Sequence, residues 1–112
     1  MQLIEQVSDG VAIVEAHGRI DSVTARDLNE KLLALIDSGS TSIVLDLKNI
    51  AYISSAGFRV LVIADRASQR KNGKLALCEI SGDVMRMFEI GAFSDLFSIY
   101  PTRHDAVAGI RE

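Results

Sequence analysis

Two adjacent hydroxyl groups, those of Ser54 and Ser55, stand between an apolar segment and a sequence with helical periodicity. A serine at the start of a helix can cap free backbone amides, which contributes about 1 kcal/mol. The same position suits a phosphoserine, because the phosphate carries about −1.5 to −2 charges and meets the positive end of the helix dipole. Ala56 and Gly57 follow, and such small residues leave the hydroxyl accessible to another protein. The turn alone leaves both roles open.

Serine, metal or nucleotide catalysis is not predicted. A nucleophile elbow reads Gly-x-Ser-x-Gly, whereas Ile53 occupies the place of the first glycine before Ser55. His17 and His104 have no visible relation to Ser55, and we expect each to have a solvated structural role. One cysteine and two separated histidines cannot supply a metal cluster, and no Gly-rich phosphate loop occurs. We therefore expect a protein that is not an enzyme and holds no metal or cofactor.

Asp46 is a second candidate phosphate acceptor, of the kind found in response-regulator receivers. Such a site also needs an acidic pair after the first parallel strand and a lysine at the end of a later strand, and this sequence has neither. We therefore interpret Asp46 as a polar residue on the loop side of its strand.

The elements that position the serines follow from hydrophobic patterning. Two β-rich segments, 4–7 and 11–16, flank the turn Ser8-Asp9-Gly10 and predict a hairpin. Later strands are predicted at 43–47, 75–78 and 97–100, with an irregular segment over 48–54. Helices are predicted from a cap at Asp21 or Ser22 to Gly39, and over 56–71, 81–90 and 102–110. This order predicts an α/β fold with a mixed sheet of four to five strands, an N-terminal hairpin and about four helices packed on it.

Three segments carry recognisable motifs: Gly18-Arg19-Ile20-Asp21 before the first helix, the segment from Val44 to Leu61 that contains the two serines, and Gly73-Lys74-Leu75-Ala76-Leu77. Together they resemble the STAS domains, specifically the bacterial anti-sigma factor antagonists. The resemblance extends over the whole chain and implies a single STAS domain, residues 1–112. In that family the turn usually reads Asp-Ser-x-Gly, and the serine after the aspartate accepts the phosphate.

Matched residue by residue, the resemblance implies that Ser55 is the phosphorylated residue. Ser54 stands where the aspartate is usual and could take some phosphate itself, which leaves Asp21 as the acid that the family places near this turn. The implied partners are an anti-sigma factor that is also a serine kinase of the histidine-kinase-like ATPase fold, and a metal-dependent serine phosphatase. We expect a monomer before docking. A second function stays open, since STAS domains also serve as non-phosphorylated adaptors or regulatory subunits of transporters and other signalling complexes.

The second helix is the predicted partner surface. On a helical wheel one stripe suits packing on the sheet: Gly57, Val60, Leu61, Ala64 and Ser68. Ile63 and three arginines, Arg59, Arg66 and Arg70, lie opposite, with Phe58 and Val62 on a flank. We predict that the partner contacts Asp21, Ser54, Ala56, Gly57, Phe58, Arg59, Val62, Ile63 and Arg66. Alternatively, Phe58 and Val62 reach the core and the arginines form a solvated face.

Composition excludes several partner classes. The net charge of −3 and the pI of about 5.3 provide no basic field for nucleic acid or an anionic membrane. The N-terminal residues lack the basic and apolar regions of a leader, and no apolar segment approaches the roughly 18 residues of a membrane span. Cys78 lies in an apolar segment and is expected to be buried. These features predict a cytoplasmic protein.

Overall fold

The computed structural model describes residues 1–8 and 11–111. Its strands are β1 (Gln2–Ser8), β2 (Val11–Ile20), β3 (Ser42–Ile53), β4 (Lys74–Cys78) and β5 (Ser98–Tyr100). Its helices are α1 (Thr24–Asp37), α2 (Ser55–Arg70), α3 (Gly82–Ile90) and α4 (Arg103–Ile110), with a short 3-10 helix at Ser94–Leu96. The strands form one sheet in the order β1-β2-β3-β4-β5. The predicted mixed α/β fold is confirmed.

The predicted hairpin is the sheet's one antiparallel pairing. β1 pairs antiparallel with β2, whereas the pairs β2–β3, β3–β4 and β4–β5 are parallel. The predicted turn residues Asp9 and Gly10 lie outside the described residues. Because parallel neighbours need a crossover, a helix follows each of β2, β3 and β4.

The helices cover the two faces of the sheet unequally. Residues of α1, α2 and α3 share the larger apolar core with side chains of β2, β3 and β4, whereas Ala106 and Ile110 of α4 close a smaller core on the other face. The described residues include no helix that combines the length and apolar character needed to cross a bilayer. The buried stripe predicted for α2 is confirmed, since every one of its members is buried.

Strand β3 is longer than predicted. The segment 48–53, which we expected to be irregular, continues the strand and pairs with β2 from His17↔Asn49 to Ile20↔Ile53. The pairing has two register shifts, which break the simple alternation that sequence patterning detects. Ile50 and Ile53 nevertheless point into the core. The extension carries the chain to the end of β2 before α2 begins, and so fixes where the serine turn lies.

Candidate functional site

Ser54 joins β3 to α2 and is held at both sides. Its backbone N–H donates to the carbonyl of Ile20 at 2.8 Å, and its Oγ accepts from the N–H of Gly57 at 3.2 Å. Its extended backbone (φ −90°, ψ 172°) is that of an N-cap residue. The capping role left open between the two serines therefore belongs to Ser54, because only the residue just before the helix can direct its side chain to the third amide.

Ser55 is the first residue of α2 and is exposed. Across residues 1–8 and 11–111, no side chain or backbone group hydrogen-bonds to its hydroxyl. Without a hydrogen-bonded base among the described residues, the hydroxyl has ordinary alcohol reactivity and suits modification by another protein. Ser55 is not the helix cap, and its side chain is free for that chemistry.

Alanine substitution is expected to distinguish the structural roles of Ser54 and Ser55. Ser54→Ala removes the cap and should lower the free energy of unfolding by about 1 kcal/mol, whereas Ser55→Ala should change it by less than about 0.5 kcal/mol. Urea denaturation followed by circular dichroism measures both. Equal losses for the two variants would contradict the assignment of the cap to Ser54.

Gly57 is buried and packs between the ends of β2 and β3. A Cβ built on it would lie 2.6 Å from Cγ2 of Ile20 and 2.7 Å from Cγ1 of Ile53. The glycine therefore lets α2 approach the sheet closely, which brings Ser55 to the strand ends. Because Gly57 is buried against Ile20 and Ile53, it offers no exposed surface to a partner, contrary to our prediction.

Phe58 is also buried, with 5% of its surface exposed. Its ring stacks on Phe93, with centroids 4.4 Å apart, and meets Phe88 edge-on at 4.8 Å. The prediction that Phe58 lies on the partner surface is therefore wrong, and the alternative that it reaches the core is correct for this residue. Phe93 follows α3, so a pattern confined to the second helix could not reveal the contact.

Asp21 lies beside the serine turn, since it follows the residue whose carbonyl binds Ser54. Its Oδ1 accepts from the N–H groups of Thr24, at 2.9 Å, and Val23, at 3.0 Å. These backbone hydrogen bonds, with a smaller contribution from Arg19, hold the pKa of Asp21 below its ordinary value. Asp21, one of the two predicted caps, thus binds the amides of Val23 and Thr24, although the residue directly before α1 is Val23 and has no side-chain cap. The ionised carboxylate adds negative charge at the turn.

The exposed face of α2 carries three arginines, of which Arg66 lies near the half-buried carboxylate of Asp65. Arg59, Arg66 and Arg70 are exposed, and none has an ion pair within the described part of the chain. Ile63 lies among them and is 40% exposed, while Val62 is half-buried on the flank. The helix thus presents a basic surface with one apolar residue, although the whole chain is acidic.

The prediction that Asp46 lies on the loop side of its strand is wrong. Asp46 lies inside β3 and is only 1% exposed. Its Oδ2 accepts from Nε of Arg103 at 2.9 Å and lies 2.7 Å from Nη2 of the same guanidinium. Arg103 also binds Glu15, which in turn pairs with the half-buried His17. The hydrogen bonds from His17 and Arg103 hold the pKa of Glu15 below its ordinary value. This cluster fastens the start of α4 to the sheet.

Cys78 is buried as predicted, and burial raises the pKa of its thiol to about 12. Within residues 1–8 and 11–111, no group of three or more His, Cys, Asp or Glu side chains is placed to hold a metal ion.

The predicted residues that do come together at the surface are Asp21, Ser54, Ser55 and Ala56, with Arg59 one turn along α2. This is an accessible protein surface on which the Ser55 hydroxyl is exposed and has no hydrogen-bond partner among the described residues.

Comparison with known proteins gives consistent matches. The family described as STAS domain matches residues 2–106. BtrV of Bordetella bronchiseptica, named as an anti-sigma factor antagonist, is 35% identical over 111 residues, which are 99% of this chain and 96% of BtrV.

Two solved structures share the fold. A Thermotoga maritima protein described as an anti-sigma factor antagonist superposes with a TM-score of 0.91 at 20% identity, covering 98% of this chain and 95% of that one. The Bacillus protein SpoIIAA in its phosphorylated form superposes with a TM-score of 0.72 at 19% identity, covering 98% of both chains.

Proposed function

Because this chain belongs to the STAS domain family, among the anti-sigma factor antagonists, we propose that it is a partner-switching protein controlled by phosphorylation of Ser55. Unphosphorylated, it binds an anti-sigma factor that is also a serine kinase of the histidine-kinase-like ATPase fold. Phosphorylated, it is released, and a metal-dependent serine phosphatase resets it. The observation that carries this proposal is the exposed and unpartnered hydroxyl of Ser55 at the start of α2.

The kinase transfers the γ-phosphoryl group of ATP to Oγ of Ser55, so that a new O–P bond forms and ADP leaves. The hydroxyl proton passes to a base on the kinase, since no described residue of this chain forms a hydrogen bond with the Ser55 hydroxyl. Ser54 is the weaker phosphate acceptor, because its Oγ already caps α2 and the residue is half-buried. One of the structural neighbours, SpoIIAA, has this fold in its phosphorylated form.

The docking surface consists of the serine turn and the exposed face of α2. Its members are Asp21, Ser54, Ser55, Ala56, Arg59, Val62, Ile63 and Arg66. Arginine is enriched in protein interfaces, and an apolar residue among cations supplies area that an interface can bury. A phosphate on Ser55 would have to be removed from water when that interface forms, which costs free energy of binding. A loss of about 3 kcal/mol there would weaken binding roughly a hundredfold.

Site-resolved phosphorylation tests this function. The protein is incubated with its cognate kinase and ATP, and the phosphate is located by fragmentation mass spectrometry. Wild type and Ser54→Ala should gain one phosphate, on Ser55, whereas Ser55→Ala should gain none. In a binding titration with the same kinase, Ser55→Asp should bind about a hundredfold more weakly than wild type.

Two outcomes would contradict the proposal. Phosphate that persists in Ser55→Ala would place the modification elsewhere, and equal affinity of Ser55→Asp and wild type would remove the switch. Binding to the kinase without any phosphate transfer would favour the adaptor role.

A further inference from the structure

Arg59 lies one helical turn after Ser55, on the exposed surface of α2. Helix residues four apart have Cβ atoms about 5–6 Å from each other, and helical side chains lean toward the N-terminus. The Arg59 side chain therefore extends toward Ser55. Neither side chain has a hydrogen-bond or ion-pair partner in the described residues, so the guanidinium is available to a new anion.

Arg19, the other cation beside the serine turn, is already engaged. Its guanidinium carbon lies 4.4 Å from the centre of the Tyr52 ring, and it also faces the ionised Asp21. Arg66 lies nearly two turns beyond Arg59 and cannot reach the start of the helix. The first turn of α2 contains no acidic residue that would compete for Arg59.

We propose that phosphate on Ser55 forms an ion pair with Arg59 of the same helix, an inference that rests on the proposed phosphorylation of Ser55. An anion placed four residues before a cation is the favourable order on a helix, and a guanidinium matches the oxygens of a phosphate. Phosphorylation then changes the docking surface in two ways. It adds negative charge at the turn, and it withdraws Arg59 from the cations offered to the partner.

The test installs phosphoserine at position 55 during translation, by genetic code expansion, and so needs no kinase. A ³¹P NMR titration then gives the second pKa of the phosphate, which is about 6 for free phosphoserine. The substitution Arg59→Gln should raise this pKa by about 0.2 to 0.4, because the neighbouring cation favours the dianion. The matched control is Arg66→Gln, which makes the same charge change on the same helix face and should leave the pKa unchanged.

Salt provides a second criterion, since screening at 1 M NaCl should remove the difference between wild type and Arg59→Gln. An unchanged pKa in Arg59→Gln overturns the proposal. An equal rise in Arg66→Gln also overturns it, because the effect would then be one of net charge. A larger rise in Arg19→Gln would make Arg19 the partner instead. Failure of the kinase to modify Ser55 would refute the proposed function, but this titration would still give its own result.

Discussion

Replacing Phe58 with alanine is expected to lower the free energy of unfolding by about 3 to 5 kcal/mol. The ring is buried among Phe88 and Phe93, so its removal leaves a cavity in the larger core and breaks two aromatic contacts. Urea denaturation measures the loss directly. The protein should still fold at low temperature, because domains of this size have about 5 to 15 kcal/mol of stability in all.

The matched control for Phe58 is Ile63, five residues further along α2 and 40% exposed. Ile63→Ala should change stability by less than about 0.5 kcal/mol, yet weaken binding to the kinase if the exposed face of α2 is the docking surface. A stable Phe58→Ala variant that had lost only kinase binding would return Phe58 to the partner surface and contradict its assignment to the core.

Arg103→Met is expected to lower the free energy of unfolding by about 3 kcal/mol. This value is at the lower end of the range for breaking a buried ion pair, because the Arg103 side chain is 29% exposed. The substitution keeps the aliphatic stem but leaves the Asp46 carboxylate, buried in β3, without its cation. Among the described residues of α4, Ala106 and Ile110 are buried and Val107 packs beside them, so the pairing supplements a small apolar contact in holding the helix on the sheet.

Cys78 reports whether that loss is local to α4. The thiol lies in the smaller core beneath α4, so its alkylation rate should rise by up to about a hundredfold if Arg103→Met releases the helix. Arg86→Met serves as the control, because Arg86 and its partner Asp83 are both well exposed and their ion pair contributes little. If Arg103→Met and Arg86→Met were equally stable, the cluster around Asp46 would have no structural role.

A second substitution distinguishes loss of the ion pair from loss of packing. Replacing Asp46 with leucine in the Arg103→Met background removes the unpaired carboxylate and should recover part of the lost stability. No recovery would mean that the guanidinium acts through its other contacts, with Glu15 in particular.

The sequence determined the features that depend on neighbours along the chain. The apolar segments identified all five strands, the helical spacing identified the buried and exposed stripes of α2, and the serine turn with its flanking segments identified the family. The exposed positions of Arg59, Ile63 and Arg66 follow from the same periodicity, because a helix with one face on a sheet must turn the opposite face to solvent.

The tertiary structure decided the rest. The hydrogen bond from the N–H of Ser54 to Ile20 of β2, together with the cap on Gly57, shows which serine is held and which is free. Phe58 is buried by Phe88 and Phe93, which lie in and after α3, and Asp46 pairs with an arginine 57 positions away. Strand β3 continues to Ile53 because β2 pairs with it across two register shifts. Such contacts join residues far apart in the chain, whereas hydrophobic periodicity reports only which residues share a face of one element.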